Sequence, residues 1–175
     1  LAEHGISKEF AGLAIGAIYN QKGDAVLDSL VMRTEDGGET WRRVTVPSKG
    51  ELFHLDFNGS SRAWIVGDKG LILASSDGGS SWQQQKSGVE RALFNVDFRD
   101  DDFGFAVGGG ATILRTEDGG RNWEKIGTAF RETFKRVDFA DDKNGWIVGH
   151  KGTILRSSDK GRTWVKQESS TAADL

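Results

Sequence analysis

Apolar and polar residues alternate over short stretches of this chain and then break at glycine. "LFHLDF" (52–57), "LFNVDF" (93–98) and "FKRVDF" (134–139) carry apolar side chains near every second position, the spacing of a strand with one covered face. Each is followed by an apolar run ending in glycines, "RAWIVGDKG" (62–70), "FGFAVGGG" (103–110) or "NGWIVGHKG" (144–152), which predicts a strand entering a tight turn. A third strand is expected a residue or so later in "LILASSD" (71–77), "TILRTED" (112–118) and "TILRSSD" (153–159). A fourth follows in "SSWQQQ" (80–85), "RNWEKI" (121–126) and "RTWVKQ" (162–167). Helical repeats would need apolar residues three and four apart and far fewer glycines.

The pattern recurs. Trp41, Trp82, Trp123 and Trp164 are spaced by 41 residues, and each closes a version of one motif: "RTEDGGETW" (33–41), "ASSDGGSSW" (74–82), "RTEDGGRNW" (115–123) and "RSSDKGRTW" (156–164). Asp56, Asp97 and Asp138 share a phase, as do Phe57, Phe98 and Phe139, then Trp64, Phe105 and Trp146, then Gly67, Gly108 and Gly149. Periods of about 40–45 residues with four strands per unit mark the blades of a β-propeller. The expectation is an all-β propeller, or part of one, of about four four-stranded antiparallel blades in a single domain or fragment covering 1–175. The blades fall near 1–50, 51–91, 92–132 and 133–175. A unit this small cannot bury both faces alone, so the Trp and Phe columns, Trp41, Trp82, Trp123 and Trp164 among them, are expected to pack between blades.

The two ends are less regular. "GLAIGAIYN" (12–20) and "AVLDSLVMRTED" (25–36) read as strands, but a strict period puts Gly23 and Val26 where later units have Trp146 and Gly149. "SSTAADL" (169–175) stops where the next unit would begin its first strand. Three arrangements fit: a fragment of a longer chain, two copies closing a ring, or four blades closing tightly. The uneven ends agree best with the first.

Composition narrows the chemistry. The chain has 24 Gly, one Pro and 10% aromatic residues, which suits short strands joined by glycine turns. A net charge of −3 lacks the basic footprint of nucleic-acid binding, and there is no cysteine for disulfides, thiolate metal sites or nucleophilic catalysis. No apolar run has the length of a membrane span. The chain opens at Leu1 without a signal-like segment, so targeting information is expected to have been removed.

In each motif an Asp lies beside Ser or Thr and glycine. Such side chains bond local backbone N–H groups and glycine supplies positive φ, so Asp36, Asp77, Asp118 and Asp159 are read as hairpin builders. A calcium loop needs more acidic ligands than one Asp per turn. No catalytic residue, metal site or cofactor is expected. The only tyrosine is Tyr19, and no two carboxylates stand out as a glycosidase pair. The acidic stretches "DFRDDDFG" (97–104) and "DFADDKNG" (138–145) recur at the repeat period and read as solvated loops, while His4, His54 and His150 lack metal-ligand spacing. The periodic Arg33, Arg115 and Arg156, with Ala74 in the remaining unit, admit two readings. They form a binding patch, or each folds over its own turn (Glu35, Glu117) or covers a Trp with its stem. A weaker candidate is the variable turn set Asp68, Lys69, Gly109, His150 and Lys151.

"SSDKGRTW" (157–164) meets the Asp-box, or bacterial neuraminidase repeat, in full. The longer "NGWIVGHKGTILRSSDKGRTW" (144–164) resembles the photosystem II stability and assembly factor family and its non-photosynthetic bacterial relatives. The likeness covers 52–168 well, 30–51 adequately and the first 29 residues poorly. It implies a non-enzymatic protein-binding scaffold outside the cytoplasm (periplasm, thylakoid lumen or secreted) that aids assembly or stability of a membrane-associated complex. It implies a protein partner docking on an arginine-rich patch, carried here by Arg33, Arg115 and Arg156, with no nucleic acid and no direct membrane insertion. Two copies closing the ring remain an option. The alternative is a carbohydrate-binding or sialidase-like glycoside hydrolase propeller whose active residues lie outside this segment.

Overall fold

Strand-forming alternation and glycine turns produce a chain built almost entirely of antiparallel meanders. The computed structural model describes residues 11–175, so His4 lies outside the described residues. The first sheet holds β1 (Gly12–Tyr19), β2 (Val26–Thr34) and β3 (Arg42–Val44). The second holds β4 (Leu52–Asn58), β5 (Arg62–Gly67), β6 (Ile72–Ser75) and β7 (Gln83–Gln85), with a single 3₁₀ turn at Asp68–Gly70. The third is β8 (Leu93–Phe98), β9 (Gly104–Gly108), β10 (Thr112–Thr116) and β11 (Glu124–Lys125). The fourth is β12 (Phe134–Phe139), β13 (Gly145–Gly149), β14 (Thr153–Ser157) and β15 (Val165–Gln167). The fold is that of a partial β-propeller, with three strands in its first sheet among the described residues. The leading strands β4, β8 and β12 lie side by side and form the inner edge of the array.

The register of the first sheet corrects the strict 41-residue phasing. Thr34 pairs with Gly12 and Arg33 with Leu13, as Ser75 pairs with Ala63 and Ala74 with Trp64. Leu13 and Gly16 therefore occupy the places of Trp146 and Gly149, ten residues before the Gly23 and Val26 that the period selects. The reason is a longer hairpin. The β1–β2 ladder runs on past Gly16 and turns at residues 20–25, where Gly23 has φ +73° and Asn20 Nδ2 donates to Asp24 Oδ1 at 2.6 Å.

The apolar core divides into three clusters, each filling the space between one sheet and the next. One cross-strand row per sheet points into the following joint: Leu13–Arg33–Arg42, Asp56–Trp64–Ala74–Gln83, then Asp97–Phe105–Arg115–Glu124. In the last two rows the second member supplies the apolar contact, and in the first Leu13 takes that place against Gly79. Trp64 stacks on Phe98 of the next sheet with ring centroids 3.5 Å apart, and Phe105 stacks on Phe139 at 4.4 Å. Trp123 and Trp164 meet those phenylalanines edge-on at 5.8 and 5.9 Å. Trp82 is buried in the first joint, whereas Trp41 is 44% exposed. Glycine is required beneath the stacked ring: a Cβ on Gly161 would lie 2.3 Å from Phe105. In the third sheet β9 and β10 are buried at every position, since both faces are covered. In the fourth, β13 and β14 alternate between buried and less covered positions.

Truncating Trp64 to Ala should lower unfolding stability by about 3–5 kcal/mol in a denaturant titration. A Trp64/Phe98 double-mutant cycle should return a coupling of roughly 0.5–1.5 kcal/mol. The pair Trp64 and Phe139, which belong to different joints, should add to within about 0.5 kcal/mol.

Candidate functional site

Every box folds the same way. Thr34 Oγ1 donates to Asp36 Oδ1 at 2.7 Å and accepts the Gly38 N–H at 2.9 Å, while Asp36 accepts the Thr40 N–H at 2.9 Å and the Thr40 hydroxyl at 2.5 Å. Ser75, Asp77 and Ser81 repeat this clip, as do Thr116, Asp118 and Asn122, then Ser157, Asp159 and Thr163. The hydroxyl of Thr40, then its N–H, holds the Asp36 carboxyl well below the usual carboxylate range. At Asp77 burial pushes upward, but the Ser81 and Ser75 donors outweigh it and bring the carboxyl down to about 2. In each box both carboxylate oxygens are committed to hydrogen bonds inside the turn. Among the described residues no group of three or more His, Asp or Glu has a metal-holding arrangement.

The three periodic arginines are not gathered into one patch. Arg33 is buried at 8% exposure, and its Nε donates to the Gly78 carbonyl in the next sheet's box at 2.8 Å. Its guanidinium also pairs with Glu35, which Arg42 contacts at 2.9 Å. Arg115 is buried at 5%, donates through Nε to the Lys160 carbonyl at 2.9 Å, pairs with Glu117 and lies over the Phe103 ring at 5.2 Å. Ala74 interrupts the column, and there Trp64 Nε1 (3.3 Å) and Gln85 Nε2 (2.9 Å) donate to the matching carbonyl of Gly119. Arg156 is exposed, and its guanidinium donates to Asn144 Oδ1 at 3.4 Å. Of the turn candidates, Lys69 and Lys151 have φ +52° and +56°, and His150 Nε2 lies 3.7 Å from Asp174.

The inner strands carry a second set of joints. Asp56 Oδ2 accepts the Phe98 N–H at 2.7 Å, and Asn95 Oδ1 accepts the Val137 N–H at 2.9 Å. Burial pushes the Asp97 carboxyl up to about 6, helped by the like charges of Asp56 and Asp138; the neighbouring Phe139 amide and Arg99 oppose it. Its Oδ2 is buried without a hydrogen-bond partner. A raised carboxyl often marks a catalytic acid. Here the groups that set it, Asp56 and the Phe139 amide, belong to the sheets on either side, so the raised carboxyl bears on the joint.

A feature that alternation alone hides lies at the start of these strands. A register shift follows Leu52, Leu93 and Phe134, and the residue in each irregularity is Phe53, Phe94 or Lys135. All three are half-buried. Phe53 and Phe94 approach to 5.3 Å, and Lys135 Nζ sits 4.1 Å from the Phe94 centroid. Bulges re-aim side chains at sheet edges and beside binding sites. The signal was available as one extra residue between apolar positions in "LFHL" and "LFNV". The result is a continuous strip of two rings and an ammonium across three sheets.

Replacing Arg115 by Ala removes a charged donor from an interior carbonyl and should cost about 1.5–3 kcal/mol. Arg156→Ala should change stability by no more than about 0.5 kcal/mol, both read by thermal or chemical unfolding. For Asp97 the folded carboxyl titrates above its unfolded value. Its contribution is therefore fully present below about pH 4 and is lost as pH rises through about 6. Asp97→Asn should raise the melting temperature relative to wild type at pH 7.5, with the gap narrowing at pH 4.

No curated protein matches the chain in sequence. Among solved structures the chain is similar to YCF48 bound to D1 peptide, at 22% identity and TM-score 0.65, covering 72% of this chain and 43% of that one. It is similar to a GH74 enzyme of Niastella koreensis at 18% identity and TM-score 0.63, covering 79% and 26% of the two chains. An ancestral GH74 enzyme matches at 15% identity and TM-score 0.63, covering 77% and 20%. At such identities the likeness concerns the fold, and the chain spans less than half the length of these proteins. The sequence profile described as photosynthesis system II assembly factor YCF48 matches residues 25–88 and 80–173. Those two matches take in all four boxes and the last three sheets, and the chain belongs to the photosynthesis system II assembly factor YCF48 family.

Proposed function

We propose that this chain is a non-enzymatic, protein-binding scaffold that aids assembly or stability of a membrane-associated complex outside the cytoplasm. Membership of the assembly-factor family is the observation that carries this reading. The YCF48 structure with a bound D1 peptide supports a peptide segment as the form in which the partner is taken. No helix among the described residues is long and apolar enough to cross a membrane.

The strip Phe53–Phe94–Lys135 is the surface we assign to the partner. It offers two adjacent rings for apolar side chains and an ammonium for a carboxylate or a backbone carbonyl, on strands locked by the joints. Arg33 and Arg115 serve the scaffold instead, because their guanidinium groups are already engaged in the joints. The GH74 likeness raises glycoside hydrolysis as the competitor. That chemistry needs two carboxyl groups flanking one sugar bond, whereas the carboxyl raised to about 6, Asp97, has its Oδ2 buried at the joint between sheets.

Fluorescence anisotropy with a labelled D1 peptide should show saturable binding. Phe94→Ala and Lys135→Glu should each weaken it about three- to tenfold, or roughly 0.7–1.4 kcal/mol, with far-UV circular dichroism unchanged. Binding that ignores both substitutions would remove the strip from the proposal. Uptake of sialosides or other soluble glycans with no peptide binding would overturn the scaffold reading.

A further inference from the structure

The dipeptide Asn–Gly occurs twice in the chain, at Asn58–Gly59 and Asn144–Gly145, each where the first strand of a sheet turns into the second. The fold sets them apart. Asn58 is the last residue of β4, and Gly59, Ser60 and Ser61 form an exposed turn. Gly59 has φ +61°, a Cβ placed on it would meet nothing within 4 Å, and among the described residues its N–H has no acceptor. Gly145 is buried as the first residue of β13, paired with Phe139 on one side and Ser157 on the other, and the Phe139 ring is pressed against it. The Asn144 amide is held as well: Nδ2 donates to both Asp141 oxygens, at 3.1 and 2.8 Å, and Oδ1 accepts from Arg156. Asn58 Nδ2 has one partner, Asp101 Oδ1 at 2.8 Å, and this bond ties the turn of the second sheet to that of the third. Asn58 and Asp101 border a cleft of about 590 Å³ that Asp100, Asp102, Glu117 and Asp142 also line, so the pair is open to water.

We propose that Asn58 is a site of spontaneous deamidation, by which the chain exchanges a tie between its second and third sheets for a pair of like charges. Gly59 N loses its proton to base and attacks Asn58 Cγ. The Cγ–Nδ2 bond breaks, and the amide nitrogen takes up a proton and leaves as ammonia. Water then opens the cyclic imide, giving aspartate by attack on the side-chain carbonyl or isoaspartate by attack on the backbone carbonyl. Ring closure bends the backbone toward the side chain, a movement that glycine in the open turn admits and strand β13 forbids. The Asp101 bond has to release first, and with the Asp101 side chain 57% exposed that release costs little net free energy. Either product carries a new carboxylate and lacks the N–H donor, so Asp101 is left facing a like charge with Arg62 Nε 4.0 Å away. The inference does not rest on the peptide-binding reading, since the strip lies at the other end of these strands.

Peptide mapping by mass spectrometry, with enzymatic detection of isoaspartate, on the purified chain held in neutral and mildly alkaline buffer provides the test. Asn58 should convert about tenfold faster than Asn144 or more, the factor that roughly 1.4 kcal/mol of local opening at β13 imposes. The rate at Asn58 should rise with pH, because the attacking nitrogen must be deprotonated. In urea the two sites should react alike. Asn58→Gln, whose closure needs a larger ring, should keep its amide. Asn58→Asp should melt below wild type, and Asp101→Asn added to it should recover the difference. Conversion at Asn58 no faster than at Asn144 overturns the proposal. So does a difference that persists in urea, since sequence rather than fold would then set it. An Asn58→Asp chain as stable as wild type overturns the exchange of a tie for a repulsion.

Discussion

Each sheet in this protein is too narrow to bury two faces by itself, and everything else depends on how one sheet is seated against the next. The seat has an apolar and a polar part. In the second and third joints a ring lies flat on a phenylalanine of the following sheet, in the first Leu13 takes the ring's place, and in all three a buried donor in the same row reaches the following box carbonyl. The two parts need each other. The ring expels water from around the carbonyl, and an unpaired carbonyl in that place would carry the desolvation penalty of a buried polar group. The second box glycine follows from the same contact in three boxes, since a Cβ on Gly79, Gly120 or Gly161 would collide with Leu13, Gln85 or Phe105 of the preceding sheet.

Much of this was legible in the chain. The 41-residue columns identified the repeat, the strand count per unit and the turn-building role of the Asp-box, because period-2 burial and local side-chain to backbone bonding leave local traces. Three features were not legible. The first hairpin is longer than the others, so the strict period selected Gly23 where Leu13 does the packing. The direction in which Arg33 and Arg115 point depends on where the next sheet lies, a contact 45 residues away in sequence. The bulge that presents Phe53, Phe94 and Lys135 is a matter of register rather than residue type.

The likeness to GH74 enzymes and to a peptide-binding assembly factor places one frame under unlike chemistries. The joints belong to the frame and say little about activity. What distinguishes this chain is which groups the frame leaves free. Its box carboxylates are consumed by their own turns and its raised carboxyl is partly buried at a joint, while rings and an ammonium are left on the inner edge.

The joint that lacks arginine has a consequence for assembly. Where Ala74 leaves the Gly119 carbonyl without a guanidinium, the indole of Trp64 and the amide of Gln85 supply the donors, so the three joints are not copies of one another. Here the donors that replace arginine lie on the same sheet as Ala74, so each sheet carries its own donor to the following carbonyl whichever residue type supplies it. The polar half of the seat is thus set by reach to a backbone carbonyl rather than by one residue type, and the column can lose an arginine without leaving that carbonyl unpaired.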